Sequence, residues 1–125
     1  MINIAQYGLI IILSAVLVVH FLVLLKVIPY KIVWGGRLKS DTQMYRFEVV
    51  SIFTNLIFLA IVFAYSGILL SDISPNIISI LLRIMAALFA LNTLGNLMSK
   101  NKWEKIIFTP LTLLLSVFCL ILALH

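Results

Sequence analysis

Four apolar runs separated by short polar breaks organise this chain: 4–25, 47–70, 77–98 and 106–124. Each is near the roughly 20 residues a helix needs to cross a hydrocarbon core. The polar and apolar positions do not alternate with the period of two that a membrane barrel strand requires. The runs therefore predict helices, which satisfy their own backbone hydrogen bonds in lipid. The expected fold is an all-α membrane protein, a four-transmembrane-helix bundle in one domain over 1–125. Its spans are expected at about 4–26, 43–70, 75–98 and 103–124.

The polar breaks carry helix start signals. Ser40 with Gln43 three residues later reads as a capping box opening the second helix. Ser74 before Pro75 reads as an N-cap with proline at the first helical position. Asn101 with Glu104 reads as a third start. Gly35-Gly36 breaks the first loop. Pro110 removes a backbone donor inside the fourth run and predicts a kink there, or a restart at Thr109.

Composition strengthens the membrane reading. Hydrophobic residues make up 64% of the chain and charged residues 10%, against about 45–50% and 25% in a soluble domain. A small soluble fold has too much surface for its volume to hide that excess. The single cysteine, Cys119, excludes an intrachain disulfide and a Cys-based metal or redox pair. No Lys or Arg precedes the first apolar run and no small-residue cleavage site follows it, so it reads as a retained span.

Charge then sets the expected topology. Lys26, Lys31, Arg37, Lys39 and Arg46 flank the first loop, and Lys100, Lys102 and Lys105 flank the third. Arg83 alone lies within an apolar run. By the positive-inside rule the loops at 27–42 and 99–103 are cytoplasmic and both termini lie on the outer side. An unprocessed first span with basic inner loops fits a bacterial cytoplasmic (inner) membrane. The bias also argues against antiparallel, dual-topology assemblies, which need balanced flanking charge.

Polar side chains inside the spans are the candidate chemistry. Arg83 lies about 9 Å below the outer end of its helix and leans outward, so it reads as a snorkelling anchor or a partner for Asp72. Glu48 starts near the inner end of the second helix and leans toward the cytoplasm, where a basic partner or a proton site are the alternatives. His20 lies about 9 Å inside from Lys26 and leans into the hydrocarbon, so it should face the bundle. The depths of His20 and Glu48 come out roughly 8–10 Å apart, too far for joint action on one atom. His20, Asn55, Asn92 and Thr112 fall in one expected layer, with Glu48, Asn96 and Thr109 nearer its cytoplasmic mouth. That layer is either hydrogen-bond glue between helices or the floor of a cavity. Ala86 and Ala90, one turn apart, permit close helix approach.

In the first loop, Lys31, Trp34, Arg37 and Lys39 suit contact with anionic lipid at the inner leaflet. No cofactor, metal cluster, phosphate loop, nucleophile elbow or zinc-protease motif is expected, and a nucleic-acid role is discounted. The leading functional expectation is a non-enzymatic protein that binds lipid or a small molecule, or serves as an accessory subunit of a larger membrane complex. The alternative is a small homo-oligomeric transporter or channel, with His20 and Glu48 as its candidates for proton coupling. An intramembrane lipid-modifying enzyme ranks third, because of the depth difference between those two residues.

Overall fold

A computed structural model describes residues 2–30, 38–69, 72–99 and 102–125. These residues form four helices: α1 Ile2–Leu24, α2 Asp41–Tyr65, α3 Pro75–Leu97 and α4 Lys102–Ala123. All four are long and apolar enough to cross a membrane.

The starts follow the sequence signals. Ser40 Oγ accepts from the Gln43 N–H at 3.2 Å, as a capping box requires. The return bond differs, because Gln43 Oε1 takes the N–H of Lys39 at 2.9 Å, one residue before the cap. Ser74 caps α3 through the N–H of Asn76 at 3.2 Å, with Pro75 next in the chain. Asn101 and the Gly35-Gly36 pair lie outside the described residues. α4 runs unbroken through Pro110, so the expected restart at Thr109 does not occur.

Two helices end earlier than their apolar runs, for one physical reason. After α2, Gly67 takes φ +77°. Its N–H returns to Ala64 at 3.1 Å, and that of Ile68 returns to Phe63 at 3.1 Å. This is a Schellman motif, which satisfies the last carbonyls and turns the chain away. Apolar Ile68 and Leu69 therefore fall outside the helix. α1 ends the same way, with Lys26 at φ 63° in the position usually given to glycine.

The helices pack as two hairpins. α3 lies along α4 and α1 along α2, α1 also meets α4, and α2 meets α3 only along a thin seam. Small residues and hydroxyls draw the first pair together. Ser116 Oγ donates to Ala86 O and Ser79 Oγ to Ala123 O, both at 2.8 Å. Hydroxyl bonds to a neighbouring helix's carbonyls need close backbones. Ala86 lies in that interface, whereas Ala90 is exposed. On α1, Gly8 sits directly against the ring of Phe118 on α4.

The core divides in two. The larger cluster includes Leu9, Leu13, Val62, Leu82, Met85 and Leu115. A smaller one holds Val23, Leu38 and Met44. Between them the four helices do not close on one another.

Candidate functional site

The gap between the two cores is a cavity of about 520 Å³ with mostly apolar walls, built from all four helices. α1 contributes Val16, Val19, His20 and Val23, and α2 contributes Ser51, Thr54, Asn55 and Phe58. α3 contributes Phe89, Asn92, Gly95 and Asn96, and α4 contributes Glu104, Phe108, Thr112 and Leu115. Phe58 and Phe89 meet edge to face across the thin α2–α3 seam, their centroids 5.2 Å apart, and bound the cavity toward the larger core. The mouth lies in the same seam, where Val50 of α2 and Leu91 and Asn92 of α3 are exposed.

His20 and Glu48 make the closest polar contact beside this space. His20 Nδ1 stands 2.6 Å from Glu48 Oε2. The His20 side chain is 20% exposed and reaches the cavity, while Glu48 is fully buried. The expected depth difference is therefore wrong, and so is the expectation that Glu48 reaches the interface. The register of the hairpin explains the error. Lys26 Nζ lies 2.6 Å from Asp41 Oδ2, which sets the end of α1 level with the start of α2. His20 is six residues before Lys26 and Glu48 seven after Asp41, about 9 and 10.5 Å at the helical rise. The two side chains thus share one depth. Measuring the depth of Glu48 from Phe47, the first residue of its apolar run, rather than from the helix start that Ser40 signals hid that match. The Lys26 amine is held above its ordinary value of 10.5, first by the hydrogen bond to Asp41 and then by the charge of that carboxylate.

The expected single polar layer is instead spread along the cavity. Asn55 follows Glu48 by seven residues, about 10 Å further along α2, yet it also lines the space. Its amide donates to Ser51 O at 2.8 Å. Asn92 is exposed at the mouth. Asn96 donates to Thr112 Oγ1 at 3.2 Å, joining α3 to α4. The hydroxyls of Thr93 and Thr112 lie 2.9 Å apart. Each also reaches a carbonyl one turn back, Phe89 O and Phe108 O, at 2.9 Å. Part of the layer is therefore interhelical glue, and the same residues form a cavity wall. Thr109 does not line the cavity, and its hydroxyl is buried with no hydrogen-bond partner among the described residues.

Two buried participants escaped the sequence reading. Glu104, read only as a helix-start signal, is 5% exposed and lines the cavity. Ser99 Oγ donates to its Oε2 at 2.9 Å. The signal was available, because Glu104, Phe108, Leu111, Thr112 and Leu115 form one stripe of α4 at helical spacing. Thr93 is the second, a buried hydroxyl one position from the candidate Asn92.

Among the lipid-contact candidates, Lys31, Trp34 and Arg37 lie outside the described residues, and Lys39 is exposed just before α2. Arg83 is exposed on α3. Comparison of the chain with protein-family models, with curated proteins and with solved structures found no match.

Proposed function

We propose that this chain spans a membrane as a four-helix bundle and holds one amphipathic small molecule in the cleft between its helix hairpins. In this reading the termini lie outside, the basic loops face the cytoplasm of a bacterial inner membrane, and the protein is non-enzymatic. The observation that carries it is the cavity itself. A space of about 520 Å³ falls within the range of roughly 300–1,000 Å³ typical of small-molecule sites. Apolar walls with a few fixed polar groups are the usual lining of such sites. The mouth in the α2–α3 seam faces sideways, so a ligand enters from the acyl-chain region without crossing water.

Gly95 supplies the test. It lines the cavity, and a Cβ built there meets nothing within 4 Å. Gly95→Phe should place a ring in that open space and occlude the cleft, and Gly95→Ala should leave room. Native mass spectrometry of the protein released from its own membrane should find a specific small-molecule adduct on the parent chain. The adduct should persist in Gly95→Ala and vanish in Gly95→Phe. An adduct equally abundant in all three chains, or bulk lipid alone on each, would sink the reading.

A second reading, proton-coupled transport by a parallel oligomer, is favoured by one observation: the His20–Glu48 contact at the cavity edge. Intramembrane ionisable pairs are characteristic of proton relays. Flux of an amphipathic amine dye into liposomes, driven by an imposed proton gradient and lost in both Glu48→Gln and His20→Gln, is the expected result of that reading. Flux unchanged in both variants would remove it.

A further inference from the structure

Across the α2–α3 seam, polar groups stand at matching depths without bonding to one another. Phe58 and Phe89 meet there edge to face, which sets the register of the two antiparallel helices. Asn55 lies three residues before Phe58 and Asn92 three after Phe89, so both stand about 4.5 Å along the axis from the ring pair. Ser51 and Asn96 lie seven residues from the same pair, about 10.5 Å away, and form a second rung. All four line the cavity. Among the described residues none of them hydrogen-bonds across the seam. Asn55 gives one amide proton to Ser51 O within α2, and Asn96 gives one to Thr112 on α4. The Ser51 hydroxyl and the Asn92 carboxamide have no partner among the described residues. Asn55 is only 8% exposed, yet its carbonyl oxygen and second amide proton are unbonded there as well. Buried polar groups are nearly always hydrogen-bonded, so Asn55 marks the place of a further partner.

These groups offer donors and acceptors together, since a carboxamide carries two protons and an accepting oxygen. Charge around them is already matched. No lysine or arginine lines the cavity, His20 is held by Glu48, and Glu104 is engaged by Ser99 and by a further group. An ionic head of either sign would leave water and find no free counter-charge. Resting on the binding role proposed above, we infer that the ligand is an uncharged amphiphile with an alcohol head, seated between Asn55 and Asn92 so that its hydroxyl donates to one carboxamide and accepts from the other. A hydroxyl is the smallest uncharged group that does both. The apolar body packs along Val16, Val19, Phe58 and Phe89. The shared chemistry is the hydroxyl, whether of a long-chain alcohol or of the glycerol head of an acylglycerol, whose second hydroxyl would meet Ser51 and Asn96.

The test uses four probes of equal chain length at neutral pH: decanol, decyl methyl ether, decylamine and decanoate. Each is titrated calorimetrically into the full chain in a neutral detergent, with Gly95→Phe as the blank for partition into micelles. The ether keeps an accepting oxygen and has no proton to give, so decanol should bind about fivefold tighter, the margin of one neutral hydrogen bond. Both ionic probes should bind more weakly than decanol. Asn55→Leu should bring decanol to the level of the ether and leave the ether unchanged, which a loss of fold would not do. Asn92→Leu should also shrink the margin. It removes a side chain that makes no bond among the described residues, and so keeps the inference testable where Asn55→Leu does not fold. A fifth probe, 1-decanoylglycerol, separates the sources: tighter binding than decanol assigns the head to an acylglycerol, and binding no tighter assigns a simple alcohol. Decanol and the ether binding equally, both blocked by Gly95→Phe, overturns the alcohol head and leaves the pocket standing. An ionic probe binding tightest does the same, and a margin that survives both asparagine substitutions overturns the seat. If no probe binds above the Gly95→Phe blank, the pocket itself fails and the inference with it.

Discussion

Nδ1 of His20 on α1 and Oε2 of Glu48 on α2 are 2.6 Å apart, and the carboxylate has no exposed surface while the imidazole borders the cavity. The contact joins the two helices of the hairpin with the carboxylate wholly inside the protein. A buried carboxylate depends on such a partner, because desolvation without one is expensive. It also places an ionisable group, rather than only amide and hydroxyl dipoles, against the space.

Removing one partner should therefore cost more than removing both. Glu48→Leu or His20→Leu alone should lower unfolding stability by about 3 kcal/mol, the scale for breaking a buried pair. The double variant His20→Leu/Glu48→Leu should recover part of that loss, since it leaves neither member of this contact facing an apolar side chain. Equilibrium unfolding in mixed micelles measures all four corners of the cycle. Strictly additive losses would mean that the two groups do not stabilise each other.

The α1–α4 contact should depend on a missing side chain. A Cβ on Gly8 would fall on the Phe118 ring. Gly8→Ala should already force that ring to move aside, and Gly8→Leu should part the helices and cost about 1–3 kcal/mol, as overpacking does. Phe118→Ala should rescue Gly8→Leu while itself being mildly destabilising. A Gly8→Leu chain with an unchanged thermal midpoint would show that this approach is not tight.

The other α1–α2 contact is exposed and should behave differently. Lys26 and Asp41 are each about half exposed, and the lysine amine is held above 10.5 by its hydrogen bond to Asp41 and by that carboxylate's charge. A raised folded value favours the protonated form, so the lysine's own linked contribution is complete below 10.5. That contribution is lost as the pH rises through the higher folded value. Acidification through neutral pH should leave this lysine's contribution untouched. NMR of the ε-amine should find its titration above 10.5 in the parent chain and lower in Asp41→Asn than in the parent. A parent lysine that titrates at its ordinary value would refute the pairing in solution.

Much of the fold was legible because hydropathy and capping are local. The four runs, Ser40 and Ser74 can each be read within a few residues of chain. The site was less legible because it depends on register between helices. The match of His20 with Glu48 follows from Lys26 standing level with Asp41, a relation across fifteen residues that no local pattern states. The ends of α1 and α2 were overrun because Schellman turns release apolar residues such as Ile68 that periodicity still counts as helical. Glu104 was missed because a carboxylate in a first helical turn is already accounted for by the helix dipole, which hid its second position on the cavity stripe.

Thr109 and Thr112 look alike in sequence, three residues apart on α4, and the structure separates them. Thr112 is tied to Thr93 and Asn96 on α3. Thr109 buries a hydroxyl that meets no partner among the described residues. A buried hydroxyl without a bond costs about 1–3 kcal/mol, and valine has nearly its shape without that group. Thr109→Val should therefore raise the thermal midpoint and leave ligand binding in the cleft unchanged. Thr112→Val should lower the midpoint, because it takes the acceptor from the Asn96 amide and breaks the Thr93–Thr112 hydroxyl contact across the α3–α4 interface. It should also weaken binding, since Thr112 lines the cavity and Thr109 does not. Thermal unfolding and probe titration on the two variants read both effects. A Thr109→Val chain less stable than the parent would mean that its hydroxyl finds a partner in the membrane. Equal effects of the two substitutions would mean that the α3–α4 hydroxyl network is not what holds this wall in place.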